Sequence, residues 1–157
     1  MLDNRSFESL TLELLPQLYK LASGILRNQQ DGEDAVQQAI QKAWEHRART
    51  RPDSFRPWLT RIVINECRNI QRHRLRQFPM ELPPAPEQMP PDHRDLYEAI
   101  DQLADDLRMA MMIKYFENYS EKEPAQALGI SLAALKSRLF RARRKLSQML
   151  DREVAFE

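Results

Sequence analysis

Residues 119–150 read YSEKEPAQALGISLAALKSRLFRARRKLSQML, and the fold turns on how this stretch divides. Ser120 is a good N-cap. Glu123, three residues on, completes a capping box in which each side chain satisfies a backbone N–H that the helix leaves unpaired. Gly129 suits the left-handed conformation that ends a helix, with Ile130 folding back as the apolar residue beyond it. Ser131 then offers a second N-cap. A short helix, a tight glycine turn and a longer helix make a helix-turn-helix pattern.

The longer helix carries two unlike faces. Leu135, Leu139, Ala142, Leu146 and Met149 recur at spacings of four and three, so they form one buried stripe. At about 100° per residue, Ser137, Phe140, Arg141 and Arg144 fall opposite that stripe. Lys136 and Arg143 flank them on one side, Arg138 and Lys145 on the other. From Lys136 to Lys145 there are six Lys or Arg and no Asp or Glu, so no ion pairs along the helix offset the repulsion. An ordinary solvated face has no use for that imbalance, nor for a ring, Phe140, turned away from the core. Guanidinium forks beside an apolar ring match base edges and thymine methyls in a DNA major groove.

The rest of the chain sets bounds on this reading. Its 157 residues contain 3 Gly and 10 Pro, with 42% hydrophobic and 30% charged residues, a composition that suits one or two helical soluble domains. No run approaches the roughly 18 apolar residues that cross a bilayer, and the first residues lack the apolar centre of a signal peptide. A lone cysteine, Cys67, excludes an internal disulfide and fits a reducing cytoplasm. The net charge of +1 hides a segmented distribution. Residues 1–78 carry 13 Lys/Arg against 9 Asp/Glu, residues 79–119 carry 3 against 9, and residues 120–157 carry 8 against 5. Two basic segments thus flank an acidic middle.

Working back to the start, Asn4 to Leu26 keeps helical spacing through Phe7, Leu10, Leu14, Leu18, Leu21, Ala22 and Ile25. Pro16 predicts a kink there or a fresh first turn. Asn28 to Gly32 reads as a turn, after which Glu33 and Asp34 occupy the first turn of a helix, where their charge suits the dipole. Ala35, Val36, Ala39, Ile40, Ala43 and Trp44 form its apolar stripe, and Asp34, Gln37, Gln38, Gln41 and Lys42 its polar face. The segment Arg47–Ser54 is a basic loop broken by Pro52. A long helix then runs from about Phe55 to Arg76 on a core face of Trp58, Leu59, Ile62, Val63 and Ile70. Arg61, Arg68 and Arg72 lie within about 40° of each other around it, with Asn65 and Arg76 alongside and only Glu66 interrupting the positive charge. Most of those arginines suit phosphate contacts rather than base reading.

Residues 77–92, QFPMELPPAPEQMPPD, hold six of the ten prolines and no helical period, which marks a stiff linker between two domains. The domains are expected at residues 1–76 and 94–157, with 77–93 between them. In the second, Leu96, Ile100, Leu103, Leu107, Met111 and Tyr115 keep helical core spacing, with a break near Ala104 to Asp106. These helices would supply the surface on which the helix-turn-helix packs.

Three quoted stretches carry a family resemblance. GEDAVQQAIQKAW at 32–44, FRPWLTRIVINECRNIQR at 55–72 and IKYFENYSEKEPAQALGISLAALKSRLFRARRKL at 113–146 resemble, in order and around a linker, regions two and four of the extracytoplasmic-function (group IV) sigma factors. The resemblance implies an all-α, two-domain fold and a subunit that directs core RNA polymerase to promoters and helps open the DNA. It implies that Asp34, Gln37, Gln38 and Gln41 bind the polymerase β′ clamp, with the β flap as a further contact of the chain. It implies that Trp58, Arg61, Asn65, Arg68 and Arg72, with the Arg47–Ser54 loop, open and read the minus-10 element. Lys136, Ser137, Arg138, Phe140, Arg141 and Arg144 would read the minus-35 element. An anti-sigma factor is an implied partner, and no cofactor is implied. Within this pattern Pro124 stands where the family has an apolar or β-branched residue, and Ala133-Ala134 where it has Gly-Thr. Gln38 replaces Glu, Asn69 replaces Asp, and Ala104 replaces Pro.

A two-domain helix-turn-helix repressor or activator is the alternative, but it would need a ligand or dimer surface that the sequence does not display, and it would leave the basic 55–76 helix without a role. A helical adaptor that avoids DNA would leave Phe140 and both basic faces without one. Catalysis is not expected: His46, His73 and His93 are scattered, no metal-ligand spacing occurs, and there is no glycine-rich phosphate loop.

Overall fold

Helix α1 (Asn4–Leu26) opens the computed structural model, which describes residues 3–50, 54–77, 94–117 and 122–155. The Asp3 carboxylate caps α1, accepting from the Ser6 N–H at 2.8 Å, and hydrogen bonding from the Ser6 side chain and then its backbone holds the carboxyl below the ordinary range. Pro16 lies inside a continuous helix, so the fresh first turn, one of the two expectations for it, does not occur. Both Pro16 and Leu12, whose carbonyl loses its helical donor, are exposed, so solvent can serve that carbonyl.

The turn expected over Asn28–Gly32 is only two residues long. Arg27 takes the left-handed conformation (φ 55°), and Asn28 already caps α2 (Gln29–Glu45), its side chain accepting from the Asp31 N–H at 2.9 Å. Asp31, rather than Glu33 and Asp34, therefore occupies the first turn. Gly32 is a buried helical residue and has no turn to make. A Cβ there would sit 2.6 Å from the Ser23 amide nitrogen and 2.8 Å from its Cα, so the glycine permits α1 and α2 to approach closely. After α2, a 3-10 turn (Arg47–Arg49) leads towards α3 (Phe55–Gln77). Leu18, Leu21, Ile25, Val36, Phe55, Leu59 and Val63 close the core of these three helices.

The second group consists of α4 (Arg94–Asp101), α5 (Asp105–Glu117), α6 (Lys122–Leu128) and α7 (Leu132–Ala155). The break between α4 and α5 falls at 102–104, slightly earlier than the periodicity indicates. Leu103, Leu107, Ala110 and Met111 bury against Leu135, Leu139, Ala142 and Leu146 of α7. The proline-rich linker, nearly all of which falls at 78–93, and the Ser120 cap lie outside the described residues.

Helix α5 is apolar on two sides, which a single stripe through Leu107 and Met111 does not reveal. Met109, Met112 and Ile113 turn the other way and, with Ala127 of α6, join the core built by α1 to α3. The two helical domains thus share packed surface. Two ion pairs span the same boundary, Arg27 with Asp101 and Arg56 with Glu123, the latter at 3.4 Å. No described helix is long and apolar enough to cross a membrane.

Candidate nucleic-acid interface

The turn between α6 and α7 is built by the backbone. The Ile130 N–H reaches back to the Ala125 carbonyl at 3.0 Å and the Gly129 N–H to the Gln126 carbonyl at 3.1 Å, the paired bonds of a Schellman motif. Gly129 has φ +72°, which only glycine adopts at no cost. Ile130 packs on the second core beside Ala125, completing the apolar contact of that motif. The Ser131 hydroxyl then accepts from the Ala134 N–H at 3.1 Å and starts α7. Pro124 is the third residue of α6 and is buried. N–H groups in a first turn have no helical acceptor, so the proline removes no bond there.

On α7, Leu135, Leu139, Ala142 and Leu146 are buried and Met149 is partly so, which leaves the opposite face outward. Lys136, Ser137, Arg141, Arg143, Arg144 and Lys145 are exposed, and Arg138 is half-buried. Phe140 is 65% exposed, the most exposed of the large apolar side chains among the described residues. None of the ion pairs between described residues engages the six cations of 136–145. An apolar ring set among unneutralised cations on one rigid helix can offer van der Waals contact to bases and charge to phosphates together.

The second face lies along α3. Arg61, Asn65 and Arg72 are exposed, Arg68 is half-buried, and Trp58 packs partly into the core beside Phe55, their ring centroids 6.0 Å apart. Arg72 donates to the Asn69 side chain at 3.5 Å. Glu66, the acidic residue that interrupts the positive charge along the helix, is engaged elsewhere. Its carboxylate is only 4% exposed and pairs with Lys42 reaching over from α2, so it lies off this face. Arg74 also turns away, donating to the Leu26 carbonyl at 3.0 Å and pairing with Asp31. With Gln71, which donates to the Ile25 carbonyl, it closes the C-terminal end of α1. Neither role was legible in sequence, because the partners lie 46 and 48 positions away.

In the loop after α2, Arg47 donates to the Trp44 carbonyl at 2.8 Å, and its guanidinium lies 3.8 Å from the Trp44 ring centroid. Trp44, read as a core residue, sits at the edge of the core instead, with the Phe7 ring 5.2 Å from its own. Residues 51–53 of this loop lie outside the described residues. On α2, Asp34, Gln37, Gln38 and Gln41 form one exposed polar face, and Gln37 donates to the Tyr19 hydroxyl at 2.6 Å. Cys67 is wholly buried, and burial beside the Glu66 carboxylate pushes its thiol up to about 12, so it is not a nucleophile at neutral pH.

Comparison with known proteins bears on both faces at once. Residues 10–77 match the Sigma-70 region 2 family and residues 93–146 the Sigma-70 region 4 family. The sigma factor CnrH of Cupriavidus metallidurans is 33% identical, with 77% of this chain and 74% of CnrH covered. The chain belongs to the extracytoplasmic-function sigma factors. The group's SigE of Mycolicibacterium smegmatis is 30% identical over 92% of this chain, which spans 62% of the length of SigE. Among solved structures, the sigma factor RpoE of Bartonella quintana, in complex with the anti-sigma factor NepR, superposes with a TM-score of 0.73. It is 27% identical, with 92% of this chain and 96% of that one covered. The two matched regions contain the α3 and α7 faces of this sigma factor, one in each.

Proposed function

We propose that this sigma factor directs core RNA polymerase to a set of promoters by reading two DNA elements with two helices, from the cytoplasm. The observation that carries the reading is the α7 face, where Phe140 stands exposed among cations that no described acidic residue neutralises. Lys136, Ser137, Arg138, Phe140, Arg141 and Arg144 read the minus-35 duplex, where side chains of a recognition helix reach base edges. Trp58, Arg61, Asn65, Arg68 and Arg72 act on the minus-10 element as its strands part, the arginines holding phosphates and the ring stacking on an unpaired base. Asp34, Gln37, Gln38 and Gln41 dock on the β′ clamp, with the β flap as a further polymerase contact. Residues 1–76 and 94–157 act as separate modules joined by 77–93, and an anti-sigma factor silences the chain by covering these faces. No bond is made or broken by this subunit; the chemistry belongs to the polymerase.

Multi-round transcription from a genomic fragment library, with core polymerase lacking any other sigma factor, tests this directly. New start sites sharing two upstream motifs are the expected result. Arg141→Ala should weaken dependence on the upstream motif roughly tenfold, the scale of one lost bidentate base contact. Arg68→Ala should slow strand opening with upstream recognition intact. Full activity of both variants on a defined promoter would refute the residue assignments, and the absence of new start sites would refute the function.

A further inference from the structure

Helix α1 carries none of the residues assigned to polymerase or DNA, yet one of its side chains lies between the two helices that flank the basic turn. Phe7 is 4% exposed, and its ring meets two others edge-on. The Trp44 ring, at the end of α2, is 5.2 Å away at 71°, and the Phe55 ring, which opens α3, is 5.5 Å away at 81°. Phe55 in turn lies 6.0 Å from Trp58, the ring assigned to an unpaired minus-10 base. On the other side of this array the Arg47 guanidinium lies 3.8 Å from the Trp44 ring centroid and donates to the Trp44 carbonyl at 2.8 Å. The turn that Arg47 begins is closed by the Arg49 N–H on the His46 carbonyl, 3.0 Å, and ends on buried Thr50. Four rings and a guanidinium therefore form one array from the entry of the turn to the start of α3, and Phe7 joins its two halves. Edge-to-face contacts are directional, so they fix the angle between the two helix ends as well as their separation.

We propose that Phe7 is a positioning residue for minus-10 reading. It touches no DNA; through Trp44 and Phe55 it sets where the basic turn stands relative to Trp58. Arg47 serves the same array by holding Trp44 in place, and it is not a phosphate contact. The proposal rests on the assignment of the α3 face to the minus-10 element. Telling one unpaired base from another needs groups held to within about 0.5 Å of their working positions, and a ring locked against both flanking helices supplies that precision.

The test uses holoenzyme and a promoter recovered from the fragment library, together with copies of it that carry single substitutions in the minus-10 motif. Strand opening is followed by 2-aminopurine fluorescence in that motif. Phe7→Leu keeps an apolar side chain in the core but removes both edge-to-face contacts. It should lower the ratio of opening rates between parent and substituted promoters roughly threefold, the scale of one lost aromatic contact. Core binding and dependence on the upstream motif should not change. Ile25→Val trims the same core near the other end of α1, roughly 27 Å away, and should leave the ratio as it was. Both tryptophans of the chain belong to the array, so their emission should move to longer wavelength in Phe7→Leu and stay in place in Ile25→Val. Arg47→Ala should lower the ratio without altering the salt dependence of promoter binding. Loss of a phosphate contact would instead reduce the log–log salt slope by about one. An unchanged ratio or unshifted emission in Phe7→Leu, an equal fall in Ile25→Val, or a shallower salt slope in Arg47→Ala would each overturn the positioning role. Full activity of Arg68→Ala overturns the minus-10 assignment itself, a result distinct from all of these.

Discussion

Arg74 and Arg72 are two positions apart on α3 and look alike in sequence, yet they do different work. Arg74 donates to the Leu26 carbonyl at the end of α1 and pairs with Asp31, and it is half-buried in doing so. Arg74→Ala should cost about 1–2 kcal/mol, since a charge-assisted bond is lost and a helix end is left unsatisfied. Arg72→Ala should leave stability nearly unchanged, because its side chain is exposed. Urea titration reads the difference as a lower midpoint for Arg74→Ala alone at constant slope; equal midpoints would remove the capping role. This distinction marks the limit of what periodicity shows. The angular position of a side chain follows from helix geometry, so Arg61, Arg68 and Arg72 were legible as one face. Whether a cation is spent on a distant carbonyl depends on which helix lies beside it. Glu66 makes the same point in reverse: it reads as the one interruption of the helix's positive charge, but it is buried and paired with Lys42 of the neighbouring helix.

At the scale of elements, the buried stripe of α7, the glycine turn and the run of α3 all follow from local rules of capping and spacing, and the structure reproduces them. The misreadings fall where surroundings beyond the local sequence decide. Pro16 and Gly32 are breakers by local rules, but each sits inside a continuous helix. Solvent around Leu12 accommodates the first, and the approach of Ser23 requires the second. Gly32→Ala should therefore destabilise the chain by about 1–3 kcal/mol although alanine is the better helix former, because its Cβ meets Ser23 backbone that cannot rotate away. Thermal unfolding should show a lowered midpoint. A raised midpoint would mean that helix propensity outweighs the contact.

Over the whole molecule, the charge pattern and the packing fit together. Arg27 and Arg56 of the basic first domain pair with Asp101 and Glu123 of the second, while Lys136, Arg141, Arg143, Arg144 and Lys145 of α7 remain exposed. The all-α, two-domain organisation and the two cationic faces were legible because they are written in nearby residues. The joint between the domains was not, since Met109, Met112 and Ile113 interleave with a second apolar stripe on the same short helix. Those three residues also set how the molecule answers to temperature. Apolar contacts weaken on cooling, and a joint closed largely by such side chains has few hydrogen bonds to compensate. Cooling towards about 5 °C should lower energy transfer between dyes on the two domains before it lowers helix content. Transfer that holds while helix melts would place the weakest seam inside a domain. With the expected order, this sigma factor is loosest in the cold, and a chilled cell would hold more of it with an uncovered methionine-rich surface in search of a partner.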